Sequence, residues 1–178
     1  LDFLAIVAAD VASIAERRTA RLMDTSRNQG LPPFLADDPG VDSGLMIAHY
    51  TQAALVSEAK RLAAPASVDS IPSSAMQEDH VSMGWSAARK LRRSLDNLAA
   101  VLGVEVSAAA RGIDLRSLAP APAAQAVLDL IRKQIPGPGP DRFLAPELAD
   151  AKSLIASGDL VRAVENAVEL GHTIPRRL

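Results

Sequence analysis

The sequence of 178 residues contains no cysteine. This absence excludes a disulfide framework, a thiolate metal site and a cysteine nucleophile, and it fits a reducing compartment. An excess of charge is lacking as well, because 19 basic residues stand against 21 acidic ones and the net charge is −2. A chain without a basic surplus lacks the electrostatic footprint of a protein that binds polyanions. We therefore predict a cytoplasmic protein without a nucleic-acid partner.

Aromatic residues are also scarce, at 3% of the chain, although hydrophobic residues make up 48%. The apolar content is thus Ala, Leu, Val and Ile, a composition typical of closely packed helices rather than of a sheet. The sequence shows neither internal repeats nor alternating strand patterns joined by hairpin turns. Because the mean hydropathy of +0.11 is high for a domain of this size, we expect another chain or segment to cover part of the apolar surface.

The apolar start of the chain, LDFLAIVAADVASIAERRTARL, lacks the basic segment and the cleavage site of a signal peptide. Its uncharged part is too short to span a bilayer. We therefore expect neither a signal peptide nor a membrane anchor. A helical pattern is already present at residue 1, so we expect a polypeptide cut inside a helix, which is a fragment of a longer protein.

Apolar residues at steps of three and four predict three long helices, at residues 1–24, 44–64 and 74–103. Gln52 is the one polar member of the apolar stripe in the second helix. Shorter helices are predicted at 104–115, 121–134, 145–156 and 159–169. The predicted stripe of the first helix contains Leu4, Val7, Val11, Ile14, Arg18 and Leu22, and that of the third contains Val81, Trp85, Ala88, Leu91, Leu95, Leu98 and Leu102. The predicted fold is all-α: a long antiparallel helical bundle over residues 1–115, followed by shorter helices in a C-terminal segment, 116–178.

The most polar short run, SSAMQEDHVSM, lies where a proline-containing loop enters the third predicted helix. Ser74 and Gln77 have the spacing of a capping box, and Glu78 and Asp79 would lie in the first turn, where the helix dipole favours carboxylates. We predict no metal site, because Glu78, Asp79 and His80 are consecutive and point about 100° apart around a helix. A serine hydrolase is not supported either, since the chain has no G-x-S-x-G motif. The junction remains suited to proton transfer or to binding an amino acid.

Three stretches carry a resemblance to a known family: NQGLPPFL at 28–35, GLMIAHYTQAALVSEAKRLAAPASVDSIPSSAMQEDHVSMG at 44–84, and AARKL at 87–91. They resemble the C-terminal part of the aromatic amino-acid ammonia-lyases, and in particular of the histidine-specific members. Family members carry ASVDS-P-S-QEDHVSM between two long bundle helices. This chain has Met76 where an Asn is usual, next to the candidate site.

The resemblance implies a mostly helical homotetramer whose active sites combine residues of three subunits. It also implies a 4-methylideneimidazol-5-one ring, formed from Ala-Ser-Gly, that helps to eliminate ammonia. The loop at 65–80 then is the active-site loop, with Glu78 as a catalytic residue and with Gln77 and Glu78 as substrate-binding residues. His80 is interpreted as structural.

The residue at position 78 also bears on the substrate. Histidine enzymes carry Glu there and phenylalanine enzymes carry Gln, so Glu78 implies L-histidine as substrate and urocanate and ammonia as products, because an imidazole can hydrogen-bond to a carboxylate. The alternatives to a histidine ammonia-lyase are a tyrosine or phenylalanine ammonia-lyase, an aminomutase, or a non-catalytic helical oligomerisation module.

The tripeptide Ala156-Ser157-Gly158 matches the residues that form the ring. In the family, however, that tripeptide lies upstream of the QEDH loop within a glycine-rich run, whereas here it lies downstream. Cyclisation needs a strained, buried turn, but the local pattern predicts a helix end with Gly158 left-handed and Asp159 capping the next helix. We therefore predict no ring here. The ring and the tyrosine base are expected in an N-terminal portion of the same protein, so this chain alone is predicted to be inactive.

Overall fold

In a computed structural model of the chain, which describes residues 1–116 and 118–168, the described part folds into α-helices without strands. The helices are α1 (Asp2–Met23), α2 (Met46–Leu62), α3 (Gly84–Asp114), α4 (Pro122–Arg132), α5 (Ala145–Ser157) and α6 (Asp159–Ala167). The predicted all-α fold is confirmed. None of the described helices is both long and apolar enough to cross a membrane. The helix predicted for 159–169 ends at Ala167, and its last residue lies outside the described part of the chain.

The first three helices run up, down and up. Asp2 at the start of α1 contacts Ala66 beyond the end of α2, while Glu16 farther along α1 contacts His49 near the start of α2. These pairings make α1 and α2 antiparallel. Between α2 and α3, Glu58 binds Arg93, and α5 packs on α3 as well. The predicted antiparallel bundle is therefore present, and its proposed division after residue 115 stays a prediction.

The predicted buried stripe of α1 is wrong. The structure buries a row of small residues instead, of which Ala5, Ala12 and Ala15 are at most 1% exposed. Leu4 and Val7 of the predicted stripe are 58% exposed, and Val11 and Ile14 are exposed too. Alanine lets the backbones of α1, α2 and α3 approach closely, so the alanine face lies in the core and the larger apolar side chains face outward.

The predicted boundaries of the third helix are also wrong. α3 begins at Gly84 instead of Ser74, so the QEDH run lies in a loop. At the other end α3 continues through Gly103 to Asp114, where the sequence predicts two helices. A Cβ atom at Gly103 would lie 2.9 Å from the backbone nitrogen of Lys152 on α5. Gly103 therefore allows α5 to approach an unbroken helix.

Burial along α3 also differs from the prediction, because Trp85 and Leu95 are exposed although Leu91 is buried. In α2 the prediction holds better: Gln52 is fully buried between Ala48 and Ala59, which are buried as well. The polar member of the stripe thus points into the core, among the three long helices.

Candidate functional site

The active-site loop predicted at 65–80 lies within the connection between α2 and α3, and its first residues are fixed by α1. The Oδ2 atom of Asp2 accepts hydrogen bonds from the backbone N–H groups of Ala66, at 3.1 Å, and Ser67, at 2.9 Å. Lys90 of α3 donates a hydrogen bond to the carbonyl oxygen of Ala64. Two helices of the bundle therefore hold the start of the loop.

The far end of the loop folds back on itself. The Ser70 hydroxyl accepts the N–H of Val81 at 2.9 Å, and this hydrogen bond joins the two ends of the segment 70–81. Inside it, the N–H of Ser73 donates to the carbonyl oxygen of Glu78 at 3.0 Å, and the N–H of Glu78 donates back to Ser73 at 3.3 Å. This pair of hydrogen bonds fixes the backbone of Glu78.

The predicted capping box at Ser74 is not formed. Ser74, Ala75 and Met76 form a short turn in which all three residues have positive φ angles, between 53° and 69°. The side chain of Ser73, which precedes the turn, makes no capping hydrogen bond. Left-handed backbone is unfavourable for residues with a Cβ atom, and such geometry concentrates at functional sites. The turn gives the QEDH run an irregular backbone and not the first turn of a helix.

The side chains of the predicted site project from this turn into solvent. Gln77, Glu78, Asp79 and His80 are all exposed, as is every residue from 71 to 80. Within the described residues, no side-chain hydrogen bond holds Glu78 or His80, and no group of three acidic or histidine side chains is arranged to bind a metal ion. The chain fixes the backbone of Glu78 and leaves its carboxylate free to contact a ligand.

Two clefts of the described chain lie away from the predicted site. A cleft of about 650 Å³ follows the second half of α1 beside Arg17, Arg21 and Arg27. Glu78 does not line it, nor a smaller cleft next to it that includes Asn28. The loop that carries Glu78 therefore lines neither of these two clefts.

A second irregular segment lies within the first stretch of the family resemblance, residues 28–35. Phe34 and Leu35 both have a φ angle of 54°. The buried guanidinium of Arg111 donates to the carbonyl oxygen of Leu35 at 2.6 Å and to that of Gly139 at 3.1 Å. Burial lowers the pKa of Arg111. The arginine holds this turn from inside the bundle and leaves the Phe34 side chain partly exposed.

Gly44 lies directly against the turn at Phe34 and Leu35. Its φ angle is +58°, and a Cβ atom there would lie 2.6 Å from the carbonyl oxygen of Phe34. The carboxylate of Asp141 accepts the N–H groups of Ser43, at 2.7 Å, and Gly44, at 2.9 Å. The sequence does not indicate Arg111 or Asp141 as supports of this segment, since both lie far from it in the chain.

A buried carboxylate lies between α1 and α2. Glu16 is bound by Arg17, and its Oε1 atom lies 2.6 Å from Nε2 of His49. Burial acts to raise the pKa of Glu16, but the hydrogen bonds from Arg17 and His49 outweigh it, so that the pKa is lowered. Glu16 is therefore an anion in the folded chain, and its contact with His49 links α1 to α2.

The tripeptide Ala156-Ser157-Gly158 has the geometry of a helix end. Gly158 ends α5 with a left-handed φ of 75°, as predicted, and its N–H donates to the carbonyl oxygen of Ile155 at 3.2 Å. Asp159 is the first residue of α6 rather than its cap, and it binds Ser157 and Arg162. Because the Gly158 nitrogen donates a hydrogen bond to Ile155, it is not placed for attack on the Ala156 carbonyl carbon. These residues therefore do not fit a ring-forming turn.

A family model for aromatic amino acid lyases matches residues 1–133. The chain belongs to this family. The match includes both irregular segments and the loop that carries Glu78, and it confirms the resemblance found in the sequence. The family uses a 4-methylideneimidazol-5-one group.

A histidine ammonia-lyase of Streptomyces avermitilis is 70% identical to the chain over 167 residues, which are 93% of the chain and 33% of the relative. The chain therefore spans about a third of the length of the curated relatives it matches.

Two solved structures share the fold. The tyrosine aminomutase of Streptomyces globisporus superposes with a TM-score of 0.91 at 35% identity, covering 96% of this chain and 33% of that one. The histidine ammonia-lyase of Trypanosoma cruzi gives a TM-score of 0.88 at 36% identity, covering 99% of this chain and 37% of that one. Both a lyase and an aminomutase therefore contain this arrangement of helices.

Proposed function

We propose that the intact protein to which this chain belongs is a histidine ammonia-lyase, which converts L-histidine into urocanate and ammonia. The observation that carries the proposal is the exposed carboxylate of Glu78, whose backbone N–H and carbonyl groups are both hydrogen-bonded to Ser73. The 70% identity to the enzyme of Streptomyces avermitilis supports the same activity. The absence of cysteine supports a cytoplasmic location.

The chemistry of Glu78 follows from its charge and its position. A carboxylate accepts a hydrogen bond from an imidazole N–H, and this charge-assisted contact orients a histidine side chain but not a phenyl ring. Gln77, the neighbour of Glu78, adds an amide that can donate to or accept from the substrate. A 4-methylideneimidazol-5-one group supplies the electrophile in such enzymes, and we place it, with the tyrosine base, in an N-terminal portion of the same protein.

The proposed active form is a homotetramer. Glu78 lies on a loop whose residues 71–80 are all exposed and lines neither of the two clefts beside α1, so a site around it requires walls from other segments or other chains. The outward face of α1, with Leu4, Val7, Val11 and Ile14, offers the apolar surface that subunit contacts bury. Both features agree with an active site shared among subunits.

The deciding experiment replaces Glu78 in the intact protein. We expect Glu78→Ala to lower kcat for L-histidine by at least about 100-fold, while the mass of the assembly stays unchanged. Asp38→Asn, which removes an exposed carboxylate from another loop, is the control and retains turnover. Unchanged turnover in Glu78→Ala would favour the non-catalytic oligomerisation module.

The second candidate is another activity of the same family. The superposition on a tyrosine aminomutase supports this candidate. Identification of the product separates the possibilities. Histidine elimination gives urocanate and ammonia, a tyrosine or phenylalanine lyase gives an arylacrylate, and an aminomutase gives a β-amino acid without net release of ammonia.

The location of the electrophile has its own test. We expect the isolated chain to be inactive and to have the mass of the unmodified sequence from Leu1 to Leu178. A mass lower by two waters, together with histidine elimination by the isolated chain, would place the ring at Ala156-Ser157-Gly158 and contradict the proposal for its location.

A further inference from the structure

One buried carboxylate has a contact with the active-site loop that its sequence position did not indicate. Asp2, in the first turn of α1, is 8% exposed, and its Oδ2 atom accepts the N–H groups of both Ala66 and Ser67. At these two residues the chain has left α2 and enters the loop. The contact joins positions that are 64 and 65 residues apart in sequence.

The loop depends on such contacts because it lacks a core of its own. Residues 71–80 are all exposed, so the burial of apolar side chains does not fix their positions. Beyond its start, the loop is held by the hydrogen bond from Val81 to the Ser70 hydroxyl and by the backbone pair between Ser73 and Glu78. These bonds lie within the loop, whereas Asp2 of α1 binds its first residues and Lys90 of α3 binds the preceding Ala64 carbonyl, so that both connect its start to the bundle.

We infer that Asp2 is a positioning residue, which acts on Glu78 by fixing the start of the active-site loop. An ionised carboxylate that accepts two backbone N–H groups makes a strong, directional contact. Its removal leaves both groups without their acceptor, so the loop loses its connection to α1. Asp2 itself lies at the base of the loop and not beside Glu78. The inference rests on the proposed catalytic role of Glu78.

The effect is measured in the intact protein with variants of Asp2. A displacement of a catalytic group by about 1 Å costs about 100-fold in rate, so we expect Asp2→Ala to lower kcat/KM for L-histidine by about 10- to 100-fold. Asp2→Asn keeps the size and an acceptor oxygen, and its loss should be smaller. The matched control is Asp10→Asn, which removes an exposed carboxylate from the same helix and should leave kcat/KM unchanged.

A double-mutant cycle separates positioning from a general loss of stability. If Asp2 acts through Glu78, the loss caused by Asp2→Ala should nearly disappear when Glu78→Gln is already present. An equal loss in both backgrounds would mean that Asp2 acts independently of Glu78, and the inference would be overturned. Melting temperatures and assembly masses of all variants, measured in parallel, show that the compared proteins are folded.

Hydrogen exchange tests the inference without any turnover. We expect the amides of Ala66, Ser67, Ser73 and Glu78 to exchange faster in Asp2→Ala than in the unchanged protein, and to exchange normally in Asp10→Asn. Unchanged exchange at Ser73 and Glu78 would overturn the inference. If exchange at all four amides rises as expected but the unchanged protein does not release ammonia from L-histidine, the proposed function fails while the control of the loop by Asp2 is upheld.

Discussion

The side-chain nitrogen of Gln52 lies 2.9 Å from the carbonyl oxygen of Val101. The same nitrogen donates to the hydroxyl of Thr19 at 3.1 Å, and that hydroxyl in turn donates to the carbonyl oxygen of Ala15. Gln52, Val101 and Thr19 are fully buried. A single amide on α2 therefore connects α1 and α3 in the centre of the bundle.

Replacement of this amide should weaken the bundle. Gln52→Ala removes two buried hydrogen bonds and leaves a cavity, so we expect the free energy of unfolding to fall by about 3 kcal/mol. Chemical unfolding followed by circular dichroism measures the change. Gln134→Ala, which alters an exposed glutamine after α4, should change the free energy by less than about 0.5 kcal/mol. Equal effects of the two substitutions would contradict the role of Gln52.

The contribution of Asp2 should depend on pH. The hydroxyl of Ser67 and the N–H groups of Ser67 and Ala66 lower the pKa of Asp2 from 3.8 to about 2. Since the folded state binds the ionised form, this stabilisation is complete above the unfolded pKa and is lost as the pH falls from about 4 towards 2. We expect the melting temperatures of the unchanged protein and Asp2→Asn to differ at pH 6 and to converge in that acidic window. A difference that persists at about pH 2 would contradict the assignment.

Two glycines of the same helix should respond differently to an added methyl group. At Gly103 a Cβ atom would lie 2.9 Å from the Lys152 nitrogen, whereas at Gly112 the nearest atom is the Leu31 Cδ1 at 3.6 Å. Gly103→Ala forces α5 away from α3, and we expect a loss of about 1–3 kcal/mol. Gly112→Ala makes ordinary contacts and gains helix propensity, up to about 1 kcal/mol. Melting temperatures of both variants should therefore move in opposite directions.

The outward face of α1 should be needed for assembly. Val7 is 58% exposed in the single chain, so a lysine there is compatible with the fold of the chain but not with a buried subunit contact. We expect Val7→Lys to reduce the mass of the intact protein below that of a tetramer, as measured by analytical ultracentrifugation. The control, Asp10→Lys, introduces the same side chain at an exposed polar position of α1. An unchanged mass of the Val7→Lys variant would exclude this face from the assembly.

The helical class of the fold could be predicted from composition, but the buried face of α1 could not. Almost all residues from 3 to 15 are apolar, so two different faces of the helix carry apolar residues at helical spacing. The sequence favours the face with the larger side chains, including Leu4 and Val7. The structure buries the face with Ala5 and Ala12, because close packing of three helices requires small residues at their contacts.

The position of Glu78 in a loop that joins two long helices is anticipated by the family resemblance, whereas the supports of that loop are not. Ser74 and Gln77 match a capping box, but the chain reverses through left-handed residues, and α3 begins only at Gly84. The carboxylate that holds the start of the loop lies on α1. Asp2 resembles any acidic residue of a first helical turn, so only the folded chain shows its contact with Ala66.

The complete exposure of residues 71–80 has an evolutionary consequence. None of these side chains supports the core of the single chain, so a substitution there leaves the packing of the bundle unchanged. If this segment contacts the substrate, as proposed, such a substitution changes the site alone. Selection for a new substrate can therefore act on this segment almost independently of selection for a stable fold. A histidine ammonia-lyase and a tyrosine aminomutase share this arrangement of helices, which is what we expect if the residues that contact a substrate are separate from those that hold the bundle together.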